Sequence, residues 1–253
     1  MARRNKYARR RRSGQFSFLY RLLCFVLITA AGAVALTLFF KVDTVEVTGQ
    51  VRYTEAQVAE ASGVESGDNL FLMDKNKVAA NITTALPYVE TVRIRRMIPD
   101  TLRIYVTECT APVAVRSAES VWLLSVQGKI VEKVTPSFWE AYPQIIGVTP
   151  SEPAVGGPLA VAEGQEYALD ALLSLLPLLE EKEMLPQVQA LYLDDPALLT
   201  MRYLDRFDVV LRYNADFDYK LDYLLAVVEK LEDNERGTIN MTQDRKVNFI
   251  PEK

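Results

Sequence analysis

The strongest hydropathy feature of the chain is an uninterrupted apolar run at 22–40. It holds 19 residues without a charge, and eleven of them are Leu, Ile, Val or Phe. As an α-helix the run spans about 28 Å at ~1.5 Å per residue, close to the ~30 Å hydrocarbon core of a bilayer. A helix of a soluble protein normally carries a polar stripe, whereas this run offers only Thr29 and Thr37. The pattern predicts a transmembrane helix at 22–40.

Residues 41–110 show the periodicity of a small α+β unit. Thr54 and Gln57 have the spacing of a capping box, and Asp74 can cap a second helix. Pro99-Asp100 predicts a hairpin turn, and Leu70-Phe71-Leu72 is interpreted as core packing. The predicted order is β-α-α-β-β, with strands at 41–49, 88–97 and 102–108 and helices at 55–61 and 75–86.

Residues 111–253 combine short alternating segments with two amphipathic helices. Pro177 must kink or restart the first helix, because proline has no N–H to donate. The segment 136–158 contains five prolines and is interpreted as an irregular connection. A mixed α/β sheet is predicted, with strands at 113–116, 121–125, 129–134, 188–193, 198–203, 207–211, 238–241 and 247–250 and helices at 166–183 and 217–232.

The charges divide the chain at the apolar run. Residues 1–40 hold eight Lys and Arg and no acid; the other 21 Lys and Arg and all 33 Asp and Glu lie in 41–253, which therefore carries −12. A basic cluster just before a transmembrane helix is retained in the cytoplasm. The charge pattern predicts a cytoplasmic segment at 1–21, the helix at 22–40 and an extracytoplasmic remainder.

Two alternatives compete with a permanent anchor. The small-x-small triplets at 31–33 and 33–35 fit the cleavage pattern of a signal peptide, although both lie in the middle of the apolar run. The basic cluster at 3–12 has the charge to bind nucleic acid, but its position before the run favours orientation in a membrane. We therefore expect contact with lipid and none with nucleic acid.

The composition argues against catalysis. The chain has no histidine, which excludes Ser-His-Asp and Cys-His catalysis and His-ligated zinc, and its two cysteines, Cys24 and Cys109, cannot form a four-cysteine zinc site. The acidic pairs Asp194-Asp195 and Glu180-Glu181 are interpreted as solvent charges. We expect no catalytic residue, no cofactor, no metal site and no small-molecule substrate.

Several short motifs, in their order along the chain, resemble one known family. They are 45–49, 67–71, 86–89, 98–108, Lys220-Leu221, 237–241 and 247–251. The first four resemble a POTRA domain, and together with the rest they resemble the FtsQ/DivIB family of bacterial cell-division proteins. Pro112-Val113-Ala114 matches the family, but Cys109-Thr110-Ala111 before it lacks the basic pair that the family has there, and Asn240 stands where relatives usually have Asp.

The resemblance implies an α+β fold and a role in division. Its parts are an N-terminal transmembrane helix, a POTRA domain at 41–110 and a β domain at 111–253. The implied protein is a single-pass divisome component at the septum, with its N-terminus in the cytoplasm. It binds FtsB/DivIC-like and FtsL-like bitopic proteins and helps regulate septal peptidoglycan synthesis.

The resemblance also implies a contact site at the end of the chain. The residues that correspond to it are Thr242, Gln243, Asp244, Arg245, Val247, Asn248, Phe249 and Ile250. A last strand at a sheet edge could accept a partner strand by β-augmentation, or it could merely close the domain. Two alternative functions stay open: a membrane-anchored protein that binds or remodels the cell wall, and a POTRA protein of outer-membrane transport.

Overall fold

The computed structural model describes residues 14–109, 112–117, 120–244 and 246–252, and begins with helix α1 at Gly14–Phe39. Large apolar side chains are exposed along α1, among them Phe18, Leu19, Leu22, Leu23, Phe25, Val26, Leu27, Ile28, Val34 and Phe39. Within the described ranges, no helix meets both the length and the apolar character needed to cross a membrane. The transmembrane helix at 22–40 stays a prediction, and residues 1–13 of the predicted cytoplasmic segment lie outside the described residues.

A three-stranded sheet follows, here called the small sheet. Its strands are β1 (Thr44–Thr48), β2 (Val89–Met97) and β3 (Thr101–Glu108), and its helices are α2 (Glu55–Ser62) and α3 (Lys75–Ala85). The strand order is β1-β3-β2, with β1 parallel and β2 antiparallel to β3. The predicted β-α-α-β-β order is confirmed. Both bonds of the Thr54–Gln57 capping box are present, and Asp74 caps α3.

The core of the small sheet lies between the sheet and its two helices. It is built from one face of each element, and its fully buried members include Val58, Leu70, Ile82, Val89, Leu102 and Ile104. Leu70 therefore packs in the core as expected. Its neighbours do not, because Phe71 is 45% exposed and Leu72 is 76% exposed. The expectation of core packing is wrong for these two residues.

A nine-stranded sheet, here called the large sheet, forms the rest of the fold. Its strands are β4 (Val113–Ser117), β5 (Ser120–Leu124), β6 (Ile130–Val134), β7 (Gln144–Ile146), β8 (Val188–Tyr192), β9 (Leu198–Tyr203), β10 (Phe207–Arg212), β11 (Gly237–Gln243) and β12 (Lys246–Pro251). Their order is β12-β11-β10-β9-β8-β7-β4-β5-β6. Helices α4 (Glu166–Glu181) and α5 (Phe217–Val228) share one extended apolar core with this sheet.

The structure corrects one expectation about the large sheet and adds detail on its two helices. The segment 136–158 is not wholly irregular, because β7 lies within it and pairs in parallel with β4 and β8. Helix α4 runs through Pro177 without ending. On α5, Leu221 and Leu224 are buried, as is Lys220, whereas Leu225 is exposed.

The two sheets meet where the chain passes from α3 into β2. Tyr88 packs in a small cluster with four buried side chains of the large sheet: Ala114, Val121, Leu123 and Val131. Its hydroxyl donates a hydrogen bond to the Glu132 carboxylate on β6. Arg52 Nη2 lies 3.3 Å from Glu132 Oε2, and the Arg52 guanidinium stacks over the Tyr88 ring. Glu132 thus receives two polar contacts from the small-sheet side.

A lysine completes this junction. Lys129 Nζ donates to Thr83 O at 2.7 Å and to Val89 O at 3.2 Å, so the turn before β6 is bonded to the end of α3 and the start of β2. Burial disfavours the charged ammonium and lowers the pKa of Lys129. The junction is therefore polar as well as apolar: the Lys129 ammonium faces two backbone acceptors, and the Glu132 carboxylate accepts from Tyr88 and Arg52.

Candidate functional site

The residues expected to bind a partner lie in β11, in β12 and in the turn between them. Thr242 and Gln243 end β11, Asp244 lies in the turn, and 247–250 form the middle of β12. Arg245 falls outside the described residues. The structure thus brings the described members of the predicted site together at one edge of the large sheet.

The backbone of β12 presents two N–H groups away from β11. Glu252 N–H donates to Arg236 O at 2.9 Å, so the backbone at position 252 points toward β11. In an antiparallel ladder the direction alternates with every residue. Ile250 and Asn248 therefore also bond to β11, opposite Thr238 and Asn240. Val247 and Phe249 direct their N–H and C=O groups outward, where another strand could pair.

The side chains of β12 point alternately to the core and to solvent. Val247 and Phe249 are half-buried against the large-sheet core, and the Phe249 ring centroid lies 6.1 Å from that of Phe207 in an edge-to-face arrangement. Asn248 and Ile250 are exposed. Phe249 therefore stabilises the domain itself, whereas Ile250 is available to a partner.

A buried lysine of α5 donates a hydrogen bond to the backbone at the turn that leads into β12. Lys220 on α5 is 4% exposed, and its Nζ donates to Gln243 O at 2.6 Å. The ladder between β11 and β12 shifts register between Asn240 and Gln243. Asn240 Oδ1 accepts from Thr242 N–H at 3.1 Å and from Thr242 Oγ1 at 2.7 Å, which satisfies the polar groups of this irregular segment.

Lys220 is the functional residue that the sequence reasoning missed. It appeared there only as part of a family motif. A signal was present, because Lys220 is spaced three residues from Phe217 and four from Leu224, both buried on α5. A lysine on the apolar stripe of a helix needs an acceptor for its ammonium. That acceptor, the carbonyl of Gln243, could not be identified without the fold.

Helix α5 is itself held in place by ion pairs. Lys182, just after α4, has its Nζ 2.7 Å from Asp218 Oδ1 and 2.5 Å from Asp222 Oδ1. Hydrogen bonds to these two carboxylates raise the pKa of Lys182. Beside α5, a groove of about 310 Å³ is lined by Asp216, Tyr219, Lys220 and Asp244. The site is therefore a strand edge with an open groove of charged and aromatic side chains next to it.

The other three sheet edges are capped, meaning that an outward backbone group is hydrogen-bonded to a side chain or a loop. On β1, Val47 N–H donates to Glu55 Oε1 at 3.2 Å, and on β2, Ile94 O accepts from Lys75 Nζ at 3.1 Å. On β6, the N–H and C=O of Ile130 bond to 156–157. In the described part of the chain, no such bond reaches the outward groups of Val247 and Phe249. The β12 edge is therefore uncapped.

The site offers no obvious place for a metal. Across the described ranges, no three His, Cys, Asp or Glu side chains converge in a way that could hold a metal ion. The acidic groups nearest the turn, Asp216 and Asp244, line the groove together with the Lys220 ammonium. The arrangement is suited to backbone hydrogen bonding with a protein strand.

Two family models match the chain in consecutive segments. The model described as "POTRA domain, FtsQ-type" matches residues 40–108. The model described as "Cell division protein FtsQ/DivIB, C-terminal" matches residues 114–243, which is 130 of the 253 residues. The chain belongs to the FtsQ/DivIB family. The second match ends at Gln243, the last residue of β11, so it does not include β12.

Relatives among FtsQ and DivIB proteins support the same assignment. Cell division protein FtsQ of Corynebacterium glutamicum is 35% identical over 112 residues, which cover 44% of this chain and 50% of the relative. DivIB of Clostridium botulinum is 26% identical over 125 residues, covering 49% and 47%. FtsQ of Geotalea daltonii is 26% identical over 201 residues, covering 79% and 70%. The chain spans about half the length of the first two relatives. The names of these relatives and of the second family model are those of cell-division proteins.

Proposed function

We propose that the chain is a single-pass membrane protein of the divisome that acts by binding other division proteins and has no catalytic role. Its partners are the FtsB/DivIC-like and FtsL-like bitopic proteins, and through them it helps regulate septal peptidoglycan synthesis. Family membership supports the division role. The partners, the regulation and the site of contact are the proposal.

One observation carries the proposed contact: β12 is uncapped while β1, β2 and β6 are capped. An unpaired row of N–H and C=O groups is a template for strand addition. Val247 and Phe249 supply two outward N–H groups two residues apart, as a partner strand requires. Lys220 and Asn240 fix the turn and the irregular segment, so this template is ordered before a partner arrives.

The membrane anchor is the second part of the proposal. We propose that the apolar run at 22–40 crosses the cytoplasmic membrane with 1–21 inside and 41–253 outside. The exposed apolar side chains along α1 support it, because the transfer of so long an apolar surface from water into an apolar medium is favourable. The basic residues before the run support the orientation.

Val247→Pro tests the contact at β12. The substitution removes an outward N–H but no bond to β11, so we expect the protein to fold while its co-purification with the two bitopic partners from dividing cells falls about tenfold. Val247→Ala is the matched control, because it shortens the side chain and keeps the N–H. Unchanged co-purification of the proline variant would contradict the proposal.

A further inference from the structure

An exposed apolar loop lies beside the point where α1 ends. The loop at 69–72 carries the exposed side chains of Phe71 and Leu72. Leu70 N–H donates to Phe40 O at 2.9 Å, and Lys41 forms an isolated antiparallel bridge with Asn69. The loop is thus bonded to the residues that directly follow the helix, and it lies at the level at which α1 leaves its apolar run.

Aromatic rings continue this surface from the helix to the loop. The Phe40 and Phe71 ring centroids are 5.0 Å apart in an edge-to-face arrangement, and those of Phe39 and Phe40 are 6.5 Å apart. Phe39 is exposed, as is Leu72 on the far side of Phe71. An apolar surface therefore extends from Phe39 at the end of α1 through Phe40 onto the loop.

The backbone N–H groups of the loop are hydrogen-bonded within the protein and do not depend on water. Asn69 Oδ1 accepts from Phe71 N–H at 2.9 Å and from Leu72 N–H at 3.1 Å, and Met73 N–H donates to Asn69 O at 3.1 Å. With the bond from Leu70, four consecutive N–H groups have protein acceptors. Backbone groups without such partners cost several kcal/mol in a bilayer, so this pattern removes the main obstacle to entering one.

Arg96 supports the loop from the small sheet. Its Nη2 donates to Met73 O at 2.8 Å, and its guanidinium lies 5.9 Å from the centroid of the Phe71 ring. A cation beside an exposed aromatic ring is the arrangement found at the headgroup level of membranes. Arg96 also ties the loop to β2, so the loop and the small sheet move together.

We propose that the loop at 69–72 is an interfacial contact that inserts Phe71 and Leu72 into the outer leaflet beside α1. It holds the small sheet against the bilayer in a fixed orientation. This inference rests on the proposed transmembrane helix and adds a second lipid contact to it. Buried side chains at such a contact reach about 5–10 Å into the boundary between headgroups and acyl chains.

Fluorescence quenching in a bilayer tests the contact. An environment-sensitive probe is attached to a single cysteine at 72, 51 or 28 in the full chain carrying Cys24→Ser and Cys109→Ser. The protein is reconstituted in vesicles of phosphatidylethanolamine and phosphatidylglycerol, some with a nitroxide near the headgroup end of the acyl chain. Val51 is the matched control, because it is 84% exposed and lies beyond the other end of β1 from α1. The probe at 28 reports on α1.

We expect quenching at 72 to exceed quenching at 51 by about threefold or more. Quenching at 28 with equal, weak quenching at 72 and 51 would overturn the loop contact and leave the anchor standing. No quenching at 28 would overturn both. Quenching at 72 that appears only after the bitopic partners are added would also overturn the proposal, because the loop would then contact a protein helix. Vesicles should protect the amides of the small sheet from hydrogen exchange. Leu72→Asp should weaken this protection, and Val51→Asp should not.

Discussion

The two sheets of this molecule differ in how their edge strands end. The small sheet has two edges, and a charged helix side chain bonds to the backbone of each: Glu55 of α2 to β1 and Lys75 of α3 to β2. The large sheet has one edge covered by its own chain at Ile130, and the described residues leave its other edge, β12, without a cover. Caps of this kind are how natural sheets avoid unwanted pairing. Among the described residues, an edge without one, in a chain that caps the other three, supports the proposed partner contact at β12.

The largest effect is expected from a proline moved by one residue along β12. The N–H of Asn248 points toward β11, so Asn248→Pro removes a ladder bond and leaves Asn240 O without its donor. We expect this to cost about 1–3 kcal/mol of stability and to lower the melting temperature of the large sheet by about 2–8 °C.

Val247→Pro is the comparison for that measurement. It should change the melting temperature little, because its N–H points outward, although we expect it to weaken the proposed partner contact. Calorimetry of both full-length variants in detergent decides the matter. Equal destabilisation by the two prolines would show that the inward and outward assignments along β12 are wrong.

The next effect concerns the lysine that fixes the turn. Lys220→Met retains the apolar stem and loses the donor to Gln243 O. We expect the amides of the β11–β12 turn to exchange about tenfold faster with solvent, as the loss of about 1.4 kcal/mol implies. Partner co-purification should fall with it. Lys230→Met, in the exposed turn that follows α5, should change neither quantity.

Much of the fold follows from local patterns in the sequence. The Thr54–Gln57 capping box, the Asp74 cap and the Pro99-Asp100 turn all lie where their residue types predict. These features depend only on residues a few positions apart, which is why they can be predicted. The same holds for the presence of the last two strands, although β11 extends two residues beyond its expected end and includes Thr242 and Gln243.

Features that depend on distant contacts could not be predicted in the same way. Strand β7 has three residues, too few to show alternation, and is a strand because β4 and β8 flank it. Gly147 after it has a φ of +92°, and a Cβ there would lie 2.4 Å from Asp194 N. Likewise, whether the β12 edge is capped depends on which side chains and loops lie next to it, and only the fold places them.

A smaller effect should follow from removing a cap on the small sheet. Glu55→Ala leaves the N–H of Val47 open to solvent, and we expect that amide to exchange about fivefold faster. Glu55→Gln is the control, because its amide oxygen can still accept the bond that Glu55 Oε1 accepts. Hydrogen exchange read by NMR or mass spectrometry measures both. If Glu55→Gln were as fast as Glu55→Ala, the charge rather than the cap would protect this edge.

The smallest effect is expected at the junction between the sheets, in alkaline solution. Burial, and then the hydrogen bond to Glu132, raise the pKa of Tyr88 above its ordinary value of 10.0. As the pH rises past that value, the unfolded chain releases this proton before the folded protein does, so stability present below it is lost above it. The lowered pKa of Lys129 has the opposite effect, because the unfolded chain binds that proton more tightly.

Tyr88→Phe should therefore lose less melting temperature than the parent between about pH 9 and about pH 11, by about 1 °C. Tyr192→Phe, at an exposed position on β8, should behave like the parent; a Tyr88→Phe curve parallel to both would mean that the Tyr88 hydroxyl does not couple the two sheets.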